Sequence, residues 1–328
     1  MHEPTYRDAF KASWELAWHH KSLWIFGLFA AFWGQLGIME LLAKVVFGAS
    51  TLHTPSAFVY AVNFFTQYNF VDFARVWHPG LDTWVWTLWL VVIFVGFAVF
   101  LAFISTVSQG AIVHSAEKYM EKRKKKFESS SVSWHESRKY FGKLFALNIL
   151  RKIIEIAFIS FAAWGMANAL IEPNGSDVAL FLFLFVLAAL MGMVLSFMLV
   201  YSTGYVVIEK KKFVESLHMA WRLFTRHWLV SFEVGFLLML ANLVLVALVL
   251  VGLYLLFLPS LVMWLIAFAI QSQGLYIAGM FLGFGLFLVY LAILGSMFTV
   301  FVTSTWSYLF AKMHREGVVS RVVHFFKR

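Results

Sequence analysis

Six long apolar runs constrain what this chain of 328 residues can fold into. Each run exceeds the roughly 20 residues that a helix needs to cross a hydrocarbon core of about 30 Å. The residues are 62% hydrophobic and only 13% charged, whereas soluble domains are about 25% charged. The sequence therefore predicts an all-α, polytopic membrane protein. The six transmembrane helices are predicted at 23–47, 83–114, 149–171, 177–208, 228–258 and 275–312.

Positive charge is concentrated in two of the connections between these runs. Segment 115–148 holds nine Lys and Arg residues and 209–227 holds five, whereas 172–176 and 259–274 hold none. Lys and Arg are retained on the cytoplasmic side of a membrane. The N- and C-termini and the two basic segments are therefore predicted to face the cytoplasm.

The prolines are placed outside the predicted spans. Pro55, Pro79, Pro173 and Pro259 fall in connections predicted on the outer side, and Pro4 lies in the N-terminal tail. The helices are therefore expected to run without proline kinks.

An amphipathic stretch precedes each odd-numbered span. In the first stretch, Phe10, Trp14 and Trp18 fall on one helical face, opposite charged residues. The same pattern recurs in 213–226 and, more loosely, in 134–145. A helix with an aromatic face and a basic face is typical of the membrane interface. The sequence thus predicts cytoplasmic interfacial helices.

These stretches also indicate an internal repeat. Segment 12–16 (ASWEL) aligns with 219–223 (MAWRL), and the even-numbered spans end in 108–110 (SQG), 202–204 (STG) and 304–306 (STW). Two-span copies begin and end on one side, so they would be parallel around an axis along the membrane normal. A coincidence of membrane composition is the alternative. The single transmembrane domain, 1–328, would then contain repeats at 5–120, 131–212 and 213–315 and a basic tail at 316–328.

Catalytic and cofactor signatures are not found in the sequence. The chain has no cysteine, which excludes disulfides, thiolate metal sites and a cysteine nucleophile. It also lacks a Gly-x-Ser-x-Gly elbow, a Walker loop and a His-Glu-x-x-His motif. His19 and His20 are adjacent, so a helix would point them in different directions. We therefore predict a non-enzymatic protein with no cofactor and no metal.

Polar residues within the spans are the better candidates for an intramembrane site, because buried charge in hydrocarbon is unfavourable and usually has a purpose. Arg151 and Glu155 lie in the third predicted span, and Glu233 and Asn242 lie in the fifth. Asn148 and Asn242 can hydrogen-bond between helices. The alternative is a structural role, in which Arg151 pairs with Glu155 one turn away and the groups lie at the interface.

A basic run follows the second predicted span directly. A nucleic-acid patch is one interpretation of such a run, but its position beside a membrane helix favours anionic lipid, with about 1 kcal/mol per residue from the surface potential. We predict contact with anionic headgroups and no nucleic-acid partner. The residues of the run are Lys122, Arg123, Lys124, Lys125 and Lys126.

Small residues predict close helix contacts. Gly27 lies in the first span, and Gly279 and Gly283 form a Gly-x-x-x-Gly in the sixth. Such residues let helix backbones approach closely in lipid. With Gly285 and Gly295 also present, the sixth span is predicted to be the most central.

Three features together carry a resemblance to a known group of proteins. They are the interfacial helix before each span pair, the Ser-x-Gly at 108–110 and 202–204, and the basic loops. The chain resembles a diffuse group of uncharacterised prokaryotic six-span membrane proteins, similar to the membrane domain sometimes fused to glycerophosphodiester phosphodiesterases. The resemblance implies a location in a prokaryotic cytoplasmic membrane. It does not imply phosphodiesterase activity, because no such domain is present. Mitochondrial carriers also have three two-span repeats, but their Pro-x-[Asp/Glu]-x-x-[Lys/Arg] signature is missing here.

Two functions are compatible with this sequence. The preferred hypothesis is a non-enzymatic membrane or lipid-interaction and assembly module. The alternative is a transporter or permease for a small solute or lipid, with a polar path near Glu155, Glu233 and Asn242. A hydrated cavity inside the bundle would favour the second hypothesis.

Overall fold

The computed structural model describes residues 6–31, 81–121, 130–154, 157, 175–315 and 318. Within these ranges every regular element is an α-helix. In chain order the helices are α1 (Arg7–His19), α2 (Ser22–Ala30), α3 (Leu81–Glu121), α4 (Ser130–Arg138), α5 (141–154), α6 (Gly175–Val207), α7 (Phe213–Arg226), α8 (Trp228–Ala269) and α9 (Gln273–Arg315).

Four of the described helices are long and apolar enough to cross a membrane. Their spanning segments are Val91–Met120, Phe181–Val207, Trp228–Ala269 and Gln273–Arg315. They correspond to the second, fourth, fifth and sixth predicted spans, so the all-α membrane fold is confirmed. Most of the first and third predicted spans lies outside the described residues.

Pro259 lies inside α8, so its predicted place in an outer connection is wrong. A proline in a helix removes one backbone N–H and crowds the carbonyl of the residue four positions earlier. The apolar residues up to Ala269 nevertheless continue the helix, because backbone groups in lipid must be satisfied within the helix itself. The predicted connection 259–274 therefore shrinks to a tight turn.

That turn ends α8 with a Schellman motif. Gln271 has a φ of 51°, and the Ser272 N–H donates to the Ala267 carbonyl at 2.9 Å. Such an arrangement satisfies the last carbonyls of a helix and usually has glycine at the position of Gln271. The turn brings α9 back against α8, with Gly279 beside Trp264 and Tyr290 beside Gly252.

Each short amphipathic helix packs against one long helix. Helix α4 packs on α3 and α7 packs on α6, which in each case is the long helix that precedes it in the chain. Helix α1 has no such predecessor and packs on α9, the last long helix. The three contacts therefore connect the described helices in a ring.

Helix α9 is the most connected of the described helices. It packs against α1, α2, α3, α6 and α8. Its buried residues become nearly continuous from Ser296 to Met313. These contacts are in line with the predicted central place of the sixth span, although most of the first and third predicted spans lies outside the described residues.

The packed core lies in the half of the bundle that contains the C-terminal ends of α6 and α9, which we call the inner half. Tyr201, Leu309 and Phe310 are buried there, near the C-terminal ends of α6 and α9. Towards the outer ends, large apolar side chains such as Phe94 and Phe281 are exposed. Exposed apolar surface on this scale suits a lipid environment, since lipid tails are as apolar as the side chains themselves.

Candidate functional site

A cavity of about 60 Å³ lies inside the inner half of the bundle, between α2, α3, α5, α6 and α9. A cavity of this size holds several water molecules if polar groups line it. Its polar lining residues are Gln109, Arg151, Thr203, Thr303 and Ser307, and its other lining residues are Ala30, Val113, Val200, Gly204, Val302, Trp306 and Phe310.

Helix α5 supplies the charged part of the wall. Arg151 and Asn148 are three residues apart and therefore share a helical face, and they are only 6% and 4% exposed. The Asn148 side-chain amide donates a hydrogen bond from Nδ2 to Oε1 of Gln109 at 2.8 Å. The prediction that Asn148 hydrogen-bonds between helices is thus confirmed. The guanidinium of Arg151 stays charged at any physiological pH.

Two of the three hydroxyl groups of the described wall are satisfied within their own helices. Thr203 donates to the Leu199 carbonyl at 3.0 Å, and Ser307 donates to the Thr303 carbonyl at 2.7 Å. Such bonds are usual for Ser and Thr within helices. The hydroxyl oxygens of Thr203 and Ser307 keep their acceptor lone pairs, and the donors of the described wall include the amide of Gln109 and the guanidinium of Arg151.

The predicted site residues are only partly brought together. Arg151 lines the cavity, whereas Glu155 lies outside the described residues. Glu233 and Asn242 lie in α8, which contributes no residue to the cavity wall. Asn242 has a buried Oδ1 with no hydrogen-bond partner among the described residues.

Sequence reasoning missed Gln109 and Thr203 as site residues. Both lie in segments singled out as marks of a repeat, 108–110 and 202–204, and the third such segment contributes Trp306. The three matching segments therefore meet at one cavity. Their similarity was the signal that could have identified the site.

The second feature is an interfacial rim, which we define as the exposed faces of α1 and α7. Helix α1 buries small residues, among them Ala9, Ala12 and Ser13, against the bundle. Trp14 and Trp18 remain 49% and 53% exposed, and their rings stack at 5.9 Å. Small residues and Leu16 thus make most of the packing contact, and the predicted aromatic face is divided. Trp18 faces outward, whereas the rings of Phe10 and Trp14 also contact Phe301 of α9.

Helix α7 repeats this division. It buries Ser216, Ala220, Leu223 and Phe224. Its exposed face carries Trp221 together with two basic residues, Arg222 and Arg226. Both helices of the interfacial rim therefore present tryptophan outward. Helix α7 adds positive charge, whereas α1 exposes charges of both signs, Arg7, Asp8 and Lys11.

Ion pairs join the end of α9 to neighbouring helices. Lys312 lies 3.2 Å from Asp8 of α1, and Arg315 lies 3.4 Å from Glu117 of α3. Exposed pairs of this kind contribute only about 0–1 kcal/mol each. The first pair orients α1 against α9, and the second connects α9 to α3.

Two histidines beside the rim have lowered pKa values. Burial lowers the pKa of His20 below 6.5, and the neighbouring His19 lowers it further. Burial also lowers the pKa of His227, with a smaller contribution from Arg226, although a hydrogen bond with the Val318 backbone opposes the shift. Both rings therefore favour the neutral form.

The predicted lipid-binding run Lys122–Lys126 lies outside the described residues. Among the described residues, no group of three or more His, Asp or Glu side chains is arranged to hold a metal ion. No protein-family model matches the chain, and neither a curated protein nor a solved structure does. The cavity and the interfacial rim are therefore the basis for a functional proposal.

Proposed function

We propose that this protein is a non-enzymatic lipid-interaction and assembly module of a prokaryotic cytoplasmic membrane. It would have six spans and cytoplasmic termini, and its proposed relatives are the membrane domains sometimes fused to glycerophosphodiester phosphodiesterases. The observation that carries the proposal is the interfacial rim, with its exposed tryptophans and basic residues.

The chemistry of the rim suits a bilayer surface. Tryptophan rings are enriched where acyl chains meet headgroups, and Trp14, Trp18 and Trp221 are exposed on this rim. Lys11 and Arg222 lie beside them and are exposed as well. Each basic residue near an anionic surface gains about 1 kcal/mol. The rim would therefore collect anionic lipid on the cytoplasmic leaflet.

We also propose that the chain contains three copies of a two-span unit, at 5–120, 131–212 and 213–315. The ring of contacts supports this, because the short helix at the start of each copy packs on the last helix of another copy. The convergence of segments 108–110 and 202–204 on one cavity supports it too. Such a ring has its axis along the membrane normal.

Lipid retention tests the rim directly. Lys11, Arg222 and Arg226 would be changed together to Gln, and the purified protein would be examined by native mass spectrometry in phosphatidylglycerol and in phosphatidylcholine nanodiscs. We expect the variant to retain less phosphatidylglycerol at low salt. The difference should fade as salt rises, because the Debye length is only about 10 Å at 0.1 M.

A matched control is Lys139→Gln, which removes an exposed charge already paired with Glu136 at 2.6 Å. It should leave lipid retention unchanged. The run Lys122–Lys126 would be tested in the same way by five changes to Gln. Equal retention of phosphatidylglycerol at low salt by the wild type, the rim variant and the Lys122–Lys126 variant would contradict the proposal.

The second candidate function is transport of a small solute, which the polar cavity favours. If the protein is a transporter, Glu155→Gln or Glu233→Gln should abolish flux in proteoliposomes while insertion stays normal. If those carboxylates are structural, the same variants should lower stability in detergent and leave flux unchanged.

A further inference from the structure

We propose that the cavity between Gln109, Arg151 and Ser307 binds a phosphate-type oxyanion, either as free phosphate or as the phosphate of a lipid headgroup. The inference concerns binding alone. It requires neither the interfacial rim to collect lipid nor the protein to transport a solute.

The charge of the cavity wall is the first argument. Arg151 brings a permanent positive charge to the wall, and the described residues that line the cavity include no Asp or Glu. The guanidinium is almost completely removed from solvent, and electrostatic attraction is stronger there than in water. The wall therefore favours an anion over a neutral solute or a cation.

The orientation of the hydrogen-bond donors is the second argument. The Gln109 carbonyl oxygen accepts from Asn148, so the NH₂ group is the end of this amide that remains to donate. The guanidinium adds a planar fork of N–H donors, whose geometry matches the oxygens of a phosphate. Two helices, α3 and α5, thus present donors to one small space.

The place of the cavity is the third argument. Thr203 lies one turn before the end of α6 at Val207, and Ser307 lies two turns before the end of α9 at Arg315. The cavity is therefore close to the side predicted to face the cytoplasm. Both free phosphate and the headgroups of the inner leaflet are available on that side.

Calorimetry on the full-length protein in phosphatidylcholine nanodiscs would test binding of inorganic phosphate. We expect saturable binding by the wild type. Arg151→Gln should weaken it at least tenfold because it removes the charge. Gln109→Glu should do the same because it replaces a donor with a carboxylate of equal size.

The matched control is Arg138→Gln, which removes an equal charge from the exposed face of α4 and should leave the affinity within twofold of the wild type. Glu155→Gln addresses the possibility that Arg151 serves only as its partner. Under the proposal this variant binds phosphate at least as tightly as the wild type, and loss of binding would count against the proposal.

A second measurement separates the two sources of the phosphate group. Native mass spectrometry would count phosphatidylglycerol that remains bound after delipidation. Retention that is lost in Gln109→Glu, without calorimetric binding of free phosphate, would identify a headgroup as the occupant. Binding of free phosphate with the same sensitivity would identify the soluble anion.

Two results would overturn the proposal. One is a folded wild type that binds neither free phosphate nor a retained phosphate headgroup. The other is binding that survives Gln109→Glu, because the anion would then lie elsewhere. If Arg151→Gln does not fold, Gln109→Glu decides the question alone.

Discussion

The phenol oxygen of Tyr201 lies 2.6 Å from the hydroxyl of Ser231, and both side chains are fully buried between α6 and α8. Ser231 also donates to the His227 carbonyl at 3.0 Å. The Tyr201 hydroxyl therefore donates to Ser231, and this bond fixes the contact between the two helices.

The consequences of losing either partner are unequal. Ser231→Ala leaves a buried phenol without an acceptor, which should cost about 1–3 kcal/mol of unfolding free energy. Tyr201→Phe removes the donor itself and should cost nearer 0.6 kcal/mol, as is typical for hydrogen bonds between membrane helices. Denaturation in mixed micelles would measure both. Equal costs, or a double variant far worse than Ser231→Ala alone, would contradict this assignment of donor and acceptor.

Gly27, the single glycine of α2, is predicted to be difficult to replace. A Cβ at this position would collide with the backbone carbonyl of Ser296 and approach Val300 Cγ2 to 2.9 Å. Gly27→Ala should therefore destabilise the protein by about 1–3 kcal/mol or more. The control is Gly285→Ala, where a Cβ meets nothing within 4 Å, and which should be neutral or stabilising by up to about 1 kcal/mol. The readout is the temperature at which the monomer peak disappears on gel filtration.

Acidification should destabilise the protein through His20 and His227. Both have a folded-state pKa below 6.5, so the unfolded chain binds protons more readily than the folded one. Their contribution to stability is present above about pH 6.5 and is lost as the pH falls from there through the folded-state pKa. Tm should decline less steeply with acidification in the His20→Gln, His227→Gln double variant than in the wild type. The exposed His135→Gln serves as control, and an unchanged slope in the double variant would refute this explanation.

The topology can be tested by cysteine labelling, because the chain has no cysteine of its own. Val214 in α7 is 73% exposed, so Val214→Cys should react with an impermeant maleimide only after permeabilisation. Ser216 is buried and would be a poor labelling site. Gln273 begins α9 beside the turn that follows α8, at the opposite end of the long helices. Gln273→Cys should therefore react with the same maleimide in intact cells. The reverse pattern would invert the predicted orientation.

The four described helices of spanning length were readable from the sequence, whereas the place of Pro259 was not. Hydropathy identifies apolar segments that favour a lipid environment, and this preference does not depend on how the neighbouring helices pack. The expectation that a proline lies outside a helix rests on the backbone hydrogen bond that a proline removes from the helix. In α8 that loss competes with the gain from keeping the flanking apolar residues up to Ala269 helical.

The cavity was only partly predictable. Arg151 was conspicuous because a charge in an apolar run is rare. Gln109 and Thr203 were not, because uncharged polar residues occur in many membrane helices. Their meeting depends on how α3, α5 and α6 pack, which the spacing within one helix does not encode. The exposure of Trp14 was likewise not predictable from spacing within one helix, because close helix packing in lipid favours small residues over large ones at the contact.

The contact of α1 with α9 also affects how the protein is made. Asp8 and Lys312, which pair across this contact, are separated by 304 residues. At about 5–20 residues per second, the ribosome needs roughly 15–60 seconds between synthesising the two. Throughout that time α1 lacks its final partner, and its exposed tryptophans can hold it at the membrane surface. Completion of the bundle is thus necessarily a late event, which follows insertion of the last helix.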